Sequence, residues 1–321
     1  ARLSRIISSA QRSRAEDGVK ERERERERVT LFRMRILQTS NECIESHLNR
    51  LMKTPPEDRT ALNMVIKDFD DTELHMSIRR KELNVFWLSI RLGCFRQLQE
   101  MGVMEKLESV YGGLLCPQAA NGYDVTLCID LDAHASEEVV KLVSNLKGIM
   151  MSHAILTAWQ MTESGSGNSA FKLEYRPGEP MWLVPRAGKL TIVIAVRLLD
   201  EDDVIIGKSF LQELHDFRDP MVTDAPNAGL SETEDRRPRL PAELSHLGED
   251  IPEGTNYVVL GLDKCHFRTP AIGENSCSLI QNFRNFMHYH IKCCKANLHI
   301  RQRQSVHSLL QQLNRAKEEN K

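Results

Sequence analysis

The residue types best suited to do chemistry lie near the end of this chain, and the chemistry they suit is recognition. Lys292, Lys295, Arg301, Arg303, Arg315 and Lys317 follow one another through a stretch, Glu274 to Lys321, that contains neither Gly nor Pro. Among them Phe283, Met287, Ile291, Cys294, Leu298, Val306, Leu309 and Leu313 recur at i,i+3/i+4 spacing, with Gln302 the only polar interruption. At about 100° per residue they form one helical stripe. Lys292, Arg303 and Lys317 fall along one edge of it, and Arg301 and Arg315 along the other. An apolar stripe edged by cations suits a partner helix on the stripe and an acidic surface beside it.

Signatures of catalysis are missing from the sequence. It has no Gly-x-x-x-x-Gly-Lys-Ser/Thr loop, no Gly-x-Ser-x-Gly elbow and no His-Glu-x-x-His pair. Asp130-Leu131-Asp132 and Glu201-Asp202-Asp203 read as turn and helix-start charge, not as metal-dependent chemistry. His288, His290 and His299 read as packing or surface residues. The eight cysteines, Cys43, Cys94, Cys116, Cys128, Cys265, Cys277, Cys293 and Cys294, have irregular spacing and no Cys-x-x-Cys pair. They read as reduced thiols of a cytosolic protein. His290 with Cys294 is the one local metal-ligand spacing, and two ligands fall short of a zinc site. No metal and no cofactor is expected.

The chain has 321 residues, 41% of them hydrophobic and 27% charged, a globular composition. The longest apolar run is Ile192–Val196, far below the roughly 20 residues of a membrane span, and no signal-peptide pattern opens the chain. The net charge of −2 hides an asymmetry. Of the 43 basic and 45 acidic residues, residues 1–33 hold ten and six, and residues 284–321 hold eight and two. An acidic body with a basic terminal segment points to a directed contact with an acidic partner. Nucleic acid is disfavoured, because the same acidic body would repel phosphate.

The elements that must position the terminal stretch follow from periodicity and turn signals. Residues 1–33, with the Glu-Arg alternation of Glu21–Arg28, read as a charged, disordered extension. A helix is expected over 41–52, capped by Asn41 and ended by Pro55-Pro56. Strands are expected at Leu62–Lys67, Glu73–Ile78 and Asn84–Leu92, then a helical stretch over Cys94–Met101 and Met104–Tyr111. A strand at Tyr123–Asp130 and a helix over 135–161 complete the first unit. The order then repeats: strands Ala170–Arg176, Met181–Pro185 and Lys189–Leu199, a helix over 203–216, a polar loop over 218–254, a strand at Asn256–Leu262 and the terminal helix. The fold class is therefore α+β, with two similar β3αβα modules built on antiparallel sheets, plus a long C-terminal helix. The expected segments are the extension 1–33, modules 34–162 and 163–273, and the helix-bearing segment 274–321. A helix over 275–317, capped by Asn275 or Ser276, would be roughly 65 Å long, longer than either module can cover.

The terminal stretch also carries a family resemblance. His288-Tyr289-His290-Ile291-Lys292-Cys293, continuing through Lys295, His299, Arg301 and Arg303 to Leu313-Asn314-Arg315-Ala316, closely resembles subunit 2 of the actin-related protein 2/3 (Arp2/3) complex, the p34-Arc family. Asp68-Phe69-Asp70-Asp71, Val110-Tyr111-Gly112, Gly122-Tyr123-Asp124-Val125 and Val204-Ile205-Ile206-Gly207-Lys208-Ser209-Phe210 agree in order. The likeness spans about Met34 to Lys317; Met34-Arg35-Ile36-Leu37 resembles the family's own N-terminus, and the 218–254 loop departs from it.

The resemblance implies two α/β modules with a long helix and a non-enzymatic scaffold without a cofactor. It implies pairing with subunit 4, and contacts with actin-related proteins 2 and 3 and the remaining subunits. It also implies a seat on the side of a pre-existing actin filament in the cytoplasm, from which a branch grows. On that reading Met287, Ile291, Cys294, Leu298, Val306, Leu309 and Leu313 face the partner subunit, and Lys292, Lys295, Arg301, Arg303, Arg315 and Lys317 face the filament. The competing expectation is a cytosolic nucleic-acid-binding adaptor using residues 1–33 and the terminal helix.

Overall fold

The computed structural model describes residues 39–318, except 69, 135, 166–168, 187, 199, 217–226, 231–232, 235–236, 239–240, 242–243 and 245–254. For 214–216, 227–230, 233–234, 237–238 and 316–318 only the backbone is described. The charged extension 1–33, Met34–Leu37 and most of 218–254 lie outside the described residues.

Helix α1, Glu42–Lys53, begins where expected. Asn41 Oδ1 accepts the backbone N–H groups of Cys43 (3.0 Å) and Ile44 (3.2 Å). Ile44, Leu48 and Leu51 form its buried face. Asn41→Ala is expected to cost about 1 kcal/mol, read as a lower urea midpoint at unchanged m-value.

Four strands follow: β1 (Leu62–Lys67), β2 (Glu73–Arg79), β3 (Glu82–Arg91) and β4 (Val125–Asp130), in sequential order with antiparallel neighbours. The register runs Leu62↔Ile78 to Lys67↔Glu73 in the first pair and Val85↔Asp130 to Ile90↔Val125 in the last. Leu74, Met76, Ile78, Phe86, Leu88, Ile90, Leu127 and Ile129 fill one face and are buried. The period-2 pattern of the sequence is thus the inside–outside alternation of the sheet. Between β3 and β4 the chain makes α2 (Phe95–Glu100) and α3 (Val103–Tyr111), parted by Gly102 at φ 79°, a left-handed position that suits glycine.

The single helix expected over 135–161 is two: α4, Glu137–Ser144, and α5, Leu146–Ser164, bent by 63° at Asn145. Asn145 holds φ −98° and ψ 16°, off the helical values. Its side chain fills the space beside Gly148, where a Cβ would sit 2.1 Å from Asn145 Oδ1 and 2.8 Å from Thr39. The bend lets α4 pack on α1 while α5 runs inside the protein. Leu146, Met150, Met151, Ala154, Ile155, Ala158 and Trp159 of α5 are buried, so the helix is apolar nearly all round, as a central helix must be.

The second sheet holds β5 (Phe171–Leu173), β6 (Met181–Arg186) and β7 (Lys189–Arg197). Helix α6 (Glu201–Asp216) follows β7. Within the segment expected to be a loop, β8 (Asn227–Leu230) forms, along with a two-strand ribbon of β9 (Thr233–Glu234) and β10 (Arg237–Pro238). Strand β11 (Thr255–Leu262) pairs antiparallel with β7 on one side and β8 on the other, so the order is β5-β6-β7-β11-β8. The short run Asn-Ala-Gly-Leu of β8 has no alternation of its own; the free edge of β11 induces it. One contiguous apolar core runs from Leu74 and Phe86 of the first sheet through α5 to Ile192 and Leu260 of the second.

The chain closes with α7, Pro270–Glu318. It starts five residues before the expected position. Pro270 occupies the first turn, where its missing N–H costs nothing, and Thr269 Oγ1 accepts the N–H of Ile272 at 3.3 Å. The helix spans 49 residues. At 1.5 Å per residue that is roughly 70 Å.

Candidate functional site

Helix α7 divides by its surroundings. Up to Ile291 its inner face is built into the protein: Cys277, Ile280, Phe283, Met287 and Ile291 are buried against α5, α6 and the second sheet. Gln281 Nε2 donates to Ser152 Oγ (2.9 Å) and Gly148 O (3.3 Å) of α5. Arg284 Nη2 meets Glu179 Oε2 at 2.7 Å, and Arg176 Nε reaches the same oxygen at 2.8 Å. Glu179, 3% exposed, also accepts the Arg197 backbone N–H at 2.8 Å. This buried carboxylate holds two guanidinium groups and ties α7 to the second sheet.

The histidines of this stretch are packing groups. His290 stacks on Phe210 of α6 at 5.0 Å and lies 4.5 Å from Phe286, and burial lowers its pKa. Burial, with the Arg284 charge behind it, pushes His288 down to about 4. At neutral pH His288 is therefore uncharged.

Lys295 is the last residue anchored to the body. Its ammonium contacts Asp200 Oδ2 at 2.5 Å and also Asp203, both at the start of α6. Hydrogen bonds to these two carboxylates raise its pKa, and its own hydrogen bond lowers that of Asp200. Burial opposes the Lys295 shift and is outweighed.

From Ala296 to Arg315 every residue is exposed. Leu298, Ile300, Val306, Leu309, Leu310 and Leu313 are 50–55% exposed. The stripe that Phe283, Met287 and Ile291 begin inside the core thus continues into the open as Leu298, Val306, Leu309 and Leu313. Met287 and Ile291, expected to face a partner, serve the chain's own core instead. Cys294 is exposed at the transition. Ile300 and Leu310 lie off the stripe and escaped the sequence reading; an isolated apolar residue off a face carries no periodic signal, and their exposure alone marks them.

Between Glu274 and Glu318 the sequence has no acidic residue. Lys292, Arg301, Arg303 and Arg315 are exposed, and among the described residues no carboxylate pairs with them. Lys295 differs from them in being compensated within the chain. The Lys317 side chain lies outside the described residues. The site is thus an apolar rod with uncompensated positive charge, about 30 Å long at the helical rise. It presents no nucleophile and base in hydrogen-bonding array.

Among the described residues one trio of metal-ligand types converges: Asp263, Cys265 and His266, in the turn before α7. Asp263 Oδ1 accepts the Cys265 backbone N–H at 3.0 Å, and His266 Nδ1 accepts that of Asp263 at 3.0 Å. This reciprocal capping box explains the convergence as turn chemistry. No single helix among the described residues is long and apolar enough to cross a membrane.

A family model described as Arp2/3 complex, 34 kD subunit p34-Arc matches residues 88–320. The Dictyostelium discoideum protein named actin-related protein 2/3 complex subunit 2 is 31% identical over 263 residues, covering 80% of this chain and 86% of that protein. The Schizosaccharomyces pombe protein of the same name is 29% identical over 287 residues, covering 81% and 88%.

Proposed function

Because this chain belongs to the p34-Arc family, we propose that it is a non-enzymatic scaffold subunit of an Arp2/3 complex, acting in the cytoplasmic actin cytoskeleton. Its terminal helix pairs with subunit 4, and the pair supports actin-related proteins 2 and 3 and binds the side of a pre-existing filament during nucleation of a branch. One observation carries this reading: the half-helix 296–315 is exposed throughout yet carries Leu298, Val306, Leu309 and Leu313 in line with the buried stripe. An isolated 20-residue helix is marginal in water, and tertiary cover supplies most helical stability. A partner helix along that stripe provides the cover.

The uncompensated cations supply the second contact. Lys292, Arg301, Arg303 and Arg315 flank the stripe, so a partner seated on the apolar side leaves them free to meet an acidic filament. Each exposed ion pair contributes only about 0.2–1 kcal/mol, so the contact depends on several acting together. Lys295 is spoken for by Asp200 and Asp203, and its replacement would loosen α6 from α7.

The test is charge reversal of Lys292, Arg301, Arg303 and Arg315 to Glu in the assembled complex. Co-sedimentation with actin filaments is expected to weaken about tenfold or more at low salt while assembly stays intact. Undiminished co-sedimentation would remove the filament assignment and leave the pairing role standing.

A further inference from the structure

The outer face of the first sheet carries a thiol pair that none of these contacts uses. Cys128 lies in β4 on the side opposite the core residues Leu127 and Ile129, and pairs in register with Trp87 of β3. The chain leaving α3 bridges β4 at Leu115↔Leu127, and the Cys116 backbone N–H donates to Thr126 O at 2.9 Å. Cys116 and Cys128 are therefore diagonal neighbours on one face of an antiparallel pairing. The two side chains are near enough to act on each other's pKa, and both residues are partly exposed.

The frame around the pair is fixed from several sides. Ala120 N–H donates to Thr126 Oγ1 at 2.8 Å, Thr126 Oγ1 shares a 2.9 Å hydrogen bond with Ser89 Oγ, and Asp124 N–H donates to Ile90 O at 2.8 Å. Burial raises both thiol pKa values, and the positive charge of Arg79 works the other way. That guanidinium sits 4.3 Å from the Trp87 ring centroid. Cys94 and Cys277 differ: both are buried in the core, where desolvation pushes their thiols up to about 12 and leaves them inert.

We propose that Cys116 and Cys128 form a redox-active dithiol that closes to a disulfide by exchange with a small disulfide, stapling the segment between them to β4. One thiolate attacks a sulfur of the small disulfide, forming a mixed disulfide and expelling one small thiolate. The second protein thiolate attacks the protein-side sulfur of that mixed disulfide and expels the other. The two protein thiols are oxidised, the small disulfide is reduced to two thiols, and the two protein protons end on the two leaving groups.

The test treats the full chain, in its assembled complex, with oxidised glutathione, then alkylates and digests it. Trypsin leaves both cysteines on one peptide, because no Lys or Arg lies between Lys106 and Lys141. That peptide is expected to lose two hydrogens and take no alkylating group. Cleavage after Tyr123 should give two pieces that separate only on reduction. Amide exchange over 117–124 should slow about tenfold, and Cys128→Ser should instead trap glutathione on Cys116. The proposal is overturned if both cysteines stay alkylatable, if each carries its own glutathione with no link, or if either joins another cysteine.

Discussion

Leu309→Asp, or Leu298→Asp, is expected to leave this chain folded and to abolish its pairing with the partner subunit. Both leucines stand about half exposed on a helix segment, 296–315, whose residues are all exposed. A carboxylate there remains in water, and surface changes of this kind stay within about 0.5 kcal/mol in stability. In the assembled state the same carboxylate would be buried without a partner, at a cost of about 3 kcal/mol or more. Affinity should fall at least about a hundredfold. The measurement is pull-down or titration calorimetry with subunit 4, beside a melting curve of the chain alone. Met287→Asp is the informative contrast, because Met287 is 0% exposed and lies in the chain's own core. It should unfold the chain and lose pairing for that reason. Unimpaired pairing by Leu309→Asp and Leu298→Asp would show that the stripe is not the interface.

Removing Glu179 should be the most damaging single polar change in the described residues. Glu179→Ala leaves the Arg176 and Arg284 guanidiniums in a buried site without their shared carboxylate, and strips the Arg197 N–H of its acceptor. Breaking one side of a buried ion network typically costs about 3–5 kcal/mol, because the remaining charge is uncompensated. Chemical denaturation would read that loss. Hydrogen exchange would read where it falls, with faster exchange expected around residues 276–295 of α7. Glu179→Gln keeps an acceptor but not the charge and should cost less. Replacing Glu179, Arg176 and Arg284 together by apolar residues of similar size should restore much of the stability, since no charge is then left buried. A Glu179→Ala chain as stable as the parent would show that burial alone anchors α7.

Much of this architecture is legible in the residues. The alternation in Asn84–Leu92 sets which face of β3 is buried, because side chains change sides at every residue. Asn41 ahead of an acidic first turn marks the start of α1. The apolar stripe beyond Glu274, in a run free of Gly and Pro, marks a helix too long for its own body. Other features depend on encounters between distant segments. The helix over 135–161 breaks at Asn145, which lets α4 pack on α1, and Gly148 leaves room there for Thr39 and the Asn145 amide. Strand β8 exists because β11 offers it an edge. The last helix starts at Pro270 and not at the expected 275, because Thr269 caps it and Pro270 fits its first turn.

For the functional site the division has one physical cause. Residue types and periodicity determined that the last helix would be apolar on one side, cationic beside it and free of acid between Glu274 and Glu318, since these properties belong to the chain read in order. Only the tertiary structure decided where its cover stops, at Ile291, and which cation is already neutralised, Lys295 by Asp200 and Asp203. Burial and charge compensation arise between residues far apart in sequence, so no local pattern encodes them.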